Sequence, residues 1–156
     1  MCAVLFTQCF FLKDDDVLPN AVFYTGNQLK MNGYYHRFSK YSNSIDFPII
    51  MYKNGILIYI ENGKNSIEEM DKYIRNHSNK NKYVWGVFFI NDDKIIINRL
   101  DSDYPHVGIV MEGVILNDTT FHITKYIFEN KEREFDEVYH FREFYPKPDS
   151  TNNYIK

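Results

Sequence analysis

Hydrophobic and polar positions along this chain alternate, for most of its length, with a period of two. Residues 83–100, YVWGVFFINDDKIIINRL, make the clearest case. Two runs of β-branched and aromatic residues flank the polar turn Asn91-Asp92-Asp93-Lys94, a pattern that predicts a β-hairpin. Trp85, Val87 and Phe89 alternate with Val84, Phe88 and Ile90, so both faces are apolar and the hairpin belongs in the middle of a sheet. Upstream, residues 33–38 read as a strand, and residues 47–53 and 56–61 as a pair joined by Asn54-Gly55. Read as a two-residue type I′ loop, that turn sets Met51 opposite Ile58 and Ile49 opposite Ile60. Downstream, residues 107–116 form a long strand interrupted by Gly108 and Gly113, and residues 120–128 alternate Phe121, Ile123 and Ile127 against His122, Thr124 and Tyr126. A charged turn over 129–133 leads to a last strand over 135–144.

The period changes once, after Gly63. Ser66-Ile67-Glu68-Glu69 is a capping box, and Ile67, Met70, Tyr73 and Ile74 follow at helical spacing, so a short amphipathic helix runs from Ser66 to about Asn76. Eight strands in hairpin sequence, with one helix inserted after the third, predict a mainly β fold: a single antiparallel up-and-down barrel that removes its edges by closing. A two-sheet sandwich is the alternative. The expected inward positions are Phe47, Ile49, Met51, Ile58, Ile60, Trp85, Val87, Phe89, Phe121, Ile123, Tyr139 and Phe141, and their bulk predicts a filled interior.

Composition narrows the function classes. A chain of 156 residues, 44% hydrophobic and without an internal repeat, is long enough for one self-supporting domain. Its net charge of -3, with no basic run longer than a dipeptide, leaves no electrostatic footprint for nucleic acid. Both cysteines, Cys2 and Cys9, lie at the N-terminus, so the body has neither a disulfide framework nor a thiolate metal site. No segment reaches the roughly 20 apolar residues of a spanning helix.

The chemistry-bearing residues are sparse. Of the five histidines, only His122 and His140 form a pair: matching Phe121 with Phe141 and Ile123 with Tyr139 sets the two rings opposite each other, near Arg142 and Glu112. An exposed polar face is the plainer reading, since no third ligand has a dictated position. Glu112, Glu137 and Glu143 lie on strands where a lumen-facing pair would serve a hydrolase, but outward is the default for a strand glutamate. There is no G-x-S-x-G, phosphate loop or dinucleotide fingerprint, so neither a catalytic set nor a cofactor is expected. Asp14-Asp15-Asp16 lacks the alternating ligands and turn glycine of a calcium loop and reads as a solvated spacer.

The N-terminus carries a different signal. Ala3 to Phe6 is apolar, and Leu5-Phe6-Thr7-Gln8-Cys9 resembles the lipobox of a bacterial lipoprotein, with Phe6 and Gln8 standing where a leucine and a small residue are usual. An ordinary first strand is the competing reading. Lys13-Asp14-Asp15-Asp16 resembles the Lys-acidic tether of surface-exposed Gram-negative lipoproteins. Asp118-Thr119-Thr120 and Asp149-Ser150-Thr151 resemble the short O-glycosylation motif of the same bacteria, with Thr119 and Ser150 as acceptors.

Trp85-Gly86, the run Gly113 to Phe121, Tyr139-His140-Phe141-Arg142 and Pro146 to Thr151 together make the body similar to small Gram-negative surface lipoproteins with a lipocalin-like barrel. The lipocalin G-x-W signature is absent, so kinship with ligand carriers is fold-level analogy. The resemblance implies a signal-peptide remnant over residues 1–8, a lipidated Cys9 opening an acidic tether over 9–20, a barrel over 21–145 and an extended tail over 146–156. It implies an outer-membrane or cell-surface address, a lipid anchor as the membrane partner, a monomer and no established activity. Three functions are carried forward: a non-catalytic binding module with an unidentified surface or periplasmic ligand, a carrier of a small hydrophobic ligand, and a small hydrolase.

Overall fold

The computed structural model describes residues 18–42, 44–77, 81–103 and 107–155. Cys9, the expected signal remnant and most of the expected tether lie outside them. Eight strands, β1 (Gly33–Phe38), β2 (Ile45–Met51), β3 (Ile56–Tyr59), β4 (Trp85–Asn91), β5 (Lys94–Leu100), β6 (Gly108–Asn117), β7 (Thr120–Phe128) and β8 (Lys131–Glu143), close into one barrel in sequence order. Every neighbouring pair is antiparallel, and β8 returns to β1. One helix, α1 (Ile67–Arg75), follows β3. Ser66 caps it by accepting the Glu69 N–H at 3.2 Å, while the Glu69 carboxylate accepts from the Asn65 N–H one residue upstream of the cap.

The barrel has two apolar layers. Its interior holds Tyr35, Ile49, Met51, Leu57, Tyr59, Phe88, Ile95, Ile97, Ile109, Met111, Phe121, Ile123 and Tyr139, all buried. A second cluster lies outside the wall, where Met70 and Ile74 of α1 cover Tyr34, Ile50, Ile56, Ile58, Ile60 and Trp85. This outer cluster explains why β2, β3 and β4 are apolar on both faces.

It also corrects the expected inward set. Ile58, Ile60 and Trp85 belong to the outer layer, and Leu57, Tyr59 and Phe88 point inward instead. Val87 and Phe89 share the strand face of Trp85 and so also point away from the lumen. Phe47, Ile49, Met51, Phe121, Ile123, Tyr139 and Phe141 do line the interior or pack against it. The cause is the β2–β3 turn. Its loop is three residues long, with Tyr52 N–H bonded to the Ile56 carbonyl at 2.9 Å and only Gly55 in the left-handed region, at φ +82°. Met51 therefore faces Leu57 and Ile50 faces Ile58. A one-residue slip moves every side chain of a strand to the other face.

A chain segment stoppers one end of the barrel. Tyr24, Leu29 and Met31 pack against the interior cluster, while Tyr24 N–H bonds the Lys53 carbonyl and Lys30 N–H the Asp118 carbonyl. The Tyr35 hydroxyl donates to the carbonyls of Lys30 and Asp118, 3.1 Å from each. The C-terminal tail secures this plug. The Lys147 ammonium donates to the carbonyls of Met31 and Met51, each at 2.6 Å, and lies 4.3 Å from the Tyr52 ring centre. Burial pulls that ammonium down to about 8.

Candidate functional site

The opposite end, the rim, is closed by side chains. Period-two alternation carries Arg37 of β1, Phe47 of β2, Tyr59 of β3, Arg99 of β5 and Glu137 of β8 to the inner face there. They stack across the barrel. The Arg37 guanidinium lies 4.6 Å from the Phe47 ring centre, Phe47 and Tyr59 stack at 6.0 Å, and the Arg99 guanidinium lies 4.0 Å from the Tyr59 ring centre. Cation–π contacts of this kind strengthen as water is removed. A carboxylate finishes each end of the stack: Glu137 pairs with Arg37, and Glu61 accepts from Arg99 at 2.6 Å and from the Ser102 hydroxyl.

The electrostatics follow from burial. Burial works against the Arg99 cation, and Tyr59 and Glu61 more than offset it, so the guanidinium stays charged. Burial likewise drives the hydroxyls of Tyr59 and Tyr139 upward, and the two are hydrogen-bonded to each other. Arg37 Nε and Arg99 Nε have no hydrogen-bond partner among the described residues. Phe47 holds its place in the stack at φ +48°, the left-handed region, where β2 shifts register against β1. For a bulky residue such a backbone costs about 1–3 kcal/mol and persists where its surroundings over-determine it. The surroundings here are the Arg37 guanidinium on one side of the Phe47 ring and the Tyr59 ring on the other.

Beside the stack, the wall parts. β1 pairs with β8 only from Gly33↔Glu143 to His36↔His140, while β8 runs on to Lys131 against β7 alone. A cleft of about 540 Å³ opens in the gap, lined by Arg37, Ser39, Lys40, Tyr41, Asp46 and residues 134–137. Tyr41 stands 98% exposed at its lip, and Phe38 is exposed nearby. The free edge of β8 carries alternating charges, Lys131, Glu132, Arg133 and Glu134, and a register shift between Ile123 and Lys125 of its β7 partner, both of which discourage strand addition.

The expected histidine pair does not form. β7 and β8 join through the two-residue turn Glu129-Asn130, both residues in the left-handed region, rather than a charged turn over 129–133. The shorter turn matches Phe121 with Tyr139, leaving His122 opposite Val138 and His140 opposite Thr120 and His36. His122 lies 2.9 Å from Asp136, and with Lys40 it holds that carboxyl below its usual range. Among the described residues no group of three metal-ligating side chains converges.

The carboxylates expected of a hydrolase are separated and engaged. Glu137 faces inward onto Arg37, Glu112 pairs with Lys125 at 3.2 Å, and Glu143 accepts from Asn32 at 2.9 Å. Thr119 sits in the β6–β7 turn, its hydroxyl donating to Asn117 Oδ1 at 2.8 Å, and the Ser150 hydroxyl accepts from Asn54 at 3.4 Å. Asp14-Asp15-Asp16 lies outside the described residues, as does Cys9. Sequence reasoning passed over Arg37, Arg99 and Glu61. The available signal was the alternation Ile95, Ile97, Arg99, which places the arginine on the inward face. Compared with protein-family models, curated proteins and solved structures, the chain matches none.

Proposed function

We propose that this protein is a non-catalytic binding module, held at the outer membrane or cell surface by an acyl group on Cys9, and that it recognises its partner at the rim rather than in the lumen. The observation that carries the second half is the filled barrel. On the inner face Phe121 stacks on its β8 neighbour Tyr139 at 4.9 Å and lies 5.0 Å from Tyr35 of β1, Met51, Leu57, Phe88, Ile97 and Met111 fill in from the other strands, and both ends are stoppered. An eight-stranded barrel encloses barely enough space for its own side chains or one small ligand, and large rings occupy that space here. This argues against the carrier reading, and the separation of Glu112, Glu137 and Glu143, the first two ion-paired and the third bonded by Asn32, argues against a hydrolase. The recess left to a partner is the cleft, where Lys40, Asp46, Glu134 and Asp136 surround an exposed tyrosine. Charges of both signs suit a partner rich in hydrogen-bonding groups, not an apolar one.

Among the described residues no helix is long and apolar enough to cross a membrane, so a membrane address rests on the lipid. The two or more acyl chains of a bacterial lipoprotein hold a protein stably, where one chain gives only marginal residence. Two measurements test the proposal. The wild type, expressed behind a complete signal sequence in a Gram-negative host, is expected in the membrane fraction and Cys9→Ser is not; identical fractionation removes the anchor. Titration with an environment-sensitive apolar dye is expected to show no saturable stoichiometric binding. A stoichiometric dye site unaffected by Tyr41→Ala places ligand in the lumen and puts the carrier reading first.

A further inference from the structure

We propose that the plugged end of the barrel rests on the lipid bilayer itself, with Phe23 and Leu116 as its points of contact, so that the rim cleft faces away from the membrane. The inference rests on the lipid-anchor reading for its biological setting, but its physical basis is separate.

Among the described residues the large exposed apolar side chains gather at both ends, with Phe38 and Tyr41 at the rim beside the charged cleft and three aliphatic or phenyl side chains at the plugged end. Val22 is 58% exposed, Phe23 75% and Leu116 56%. They flank the β4–β5 turn. Residues 22–28 lie along one side of it, forming a shallow groove of about 350 Å³ with Phe88, Phe89 and Ile90. On the other side, the N–H of Ile115, the neighbour of Leu116, bonds the Asp93 carbonyl at 2.6 Å. Exposed apolar side chains gathered at one end of a domain mark an interaction surface, and aromatic rings partition well to the bilayer interface.

The chain's course selects the occupant. Val22 lies against Gly55 in the β2–β3 turn, and Tyr24 bonds Lys53, so the chain reaches the barrel at this same end. Residues 9 to 18 span at most about 30 Å when fully extended. An acyl group on Cys9 would hold the plugged end within that distance of the bilayer. Charge favours no other partner here. Lys30, Lys53, Lys94 and half-buried Lys147 stand against Asp92, Asp93, Asp118, Glu143 and Asp149, one negative charge in excess, so nothing steers a strongly charged macromolecule to this end, and the contact should be insensitive to salt.

The test separates docking from anchoring. The full chain, with Cys2→Ser and Cys9→Ser and an N-terminal hexahistidine tag, is loaded on phosphatidylethanolamine and phosphatidylglycerol vesicles containing a nickel-chelating lipid. This supplies the tether whether or not Cys9 is acylated in the cell. A polarity-sensitive fluorophore is placed singly at Phe23→Cys, Leu116→Cys or Tyr41→Cys, all exposed positions, each label removing one apolar side chain and leaving the other contacts of its end in place. Lipids with brominated acyl chains are expected to quench positions 23 and 116 severalfold more than position 41, unchanged between low and high salt. Equal quenching at the three positions, or greater quenching at 41, overturns the docked orientation and leaves the anchor standing. Failure of Cys9→Ser to alter fractionation in cells removes the anchor, while the quenching pattern still decides whether this end has bilayer affinity. Self-association of the labelled protein through position 23, with quenching equal at all three positions, would assign the patch to a second copy and likewise overturn the proposal.

Discussion

His36 is a buried, neutral histidine, and acid should cost the fold a predictable amount through it. The side chain is 4% exposed, with Tyr34 at 5.8 Å on one side and the edge of Phe38 at 5.1 Å on the other, and its Nδ1 finds no partner among the described residues. Burial pulls its pKa from 6.5 down to about 4, and the facing charges of His140 and Arg142 add to the fall, while a backbone bond to Arg37 and the carboxylate of Asp71 oppose it. In the unfolded chain the ring takes a proton near its ordinary value. Between pH 6.5 and 4 the unfolded state therefore binds more protons than the folded state, so stability falls as pH is lowered through that window and levels off below it. Each pKa unit corresponds to about 1.4 kcal/mol, which makes the total about 3 kcal/mol. For a domain of this length that is a drop of about 6–12 °C in Tm.

Carboxylates titrate in the same window and must be subtracted. His36→Phe keeps a ring of similar size in the same aromatic surroundings and has nothing to protonate. Urea midpoints of wild type and His36→Phe at pH 7, 6, 5 and 4.5 isolate the histidine, since the carboxylate contribution is common to both. The wild type should lose stability relative to the variant by about 2.4 kcal/mol between pH 7 and 4.5, the rest of the total falling below that range, and its His36 should remain neutral by NMR at pH 5. Parallel losses in the two proteins would refute the reasoning, because they would mean that the ring is hydrated or partnered in the folded state.

Lys147 gives the opposite end of the pH scale. Its folded value of about 8 lies below the ordinary 10.5, so the unfolded state again binds more protons, and the wild type should gain about 2 kcal/mol on Lys147→Met between pH 8 and 10.5, the half-buried position reducing the full linkage value; a constant difference in urea midpoint across that range refutes this. Arg37→Met should cost about 3 kcal/mol by leaving Glu137 buried without its partner, and Arg37→Met with Glu137→Leu should recover most of it; equal losses in the single and double variants by thermal melting would show that the pair is not coupled. Peptide mass spectrometry of native protein tests the acceptors: a glycan at Thr119, in the turn beside Leu116, or at Ser150, whose hydroxyl meets Asn54 in the β2–β3 turn at the same end, would hold that end off a bilayer.

Strand count, order and the place of the helix were legible because each rests on local signals. The capping box at Ser66, the shift from period two to 3.6, and the turn residues between apolar runs all act within a few residues. Registers were less legible. Asn54-Gly55 suits a two-residue loop, yet with both faces of β2 and β3 apolar, alternation offered nothing to oppose the alternative, and burial of Ile56, Ile58 and Ile60 under α1 decided it. Glu129-Asn130 is the converse. Glutamate is an uncommon resident of the left-handed region, so the charged run 129–133 read as loop, and the two-residue slip that followed separated His122 from His140. Long-range packing set these registers, and no local pattern reports it.

The rim was invisible for a different reason. Arginine on a strand reads as outward because a lone buried cation is prohibitive, and only when Glu137, Glu61, Phe47 and Tyr59 arrive from four other places in the chain does an inward Arg37 or Arg99 become tolerable. Buried ion pairs seldom add net stability over apolar side chains of the same size, so strength alone does not account for this arrangement. A purely apolar lid would present a second exposed hydrophobic patch at the rim, in addition to the one at the plugged end. The guanidinium–aromatic stack avoids that: its ring faces seal the lumen, and its carboxylates and hydroxyls meet water. The two ends of the barrel thereby acquire different chemistry: Val22, Phe23 and Leu116 stand exposed around the plug at one, while at the other the charges of the cleft surround Tyr41 beside β8, and the proposed binding module, if held by Cys9, would present that charged end outward.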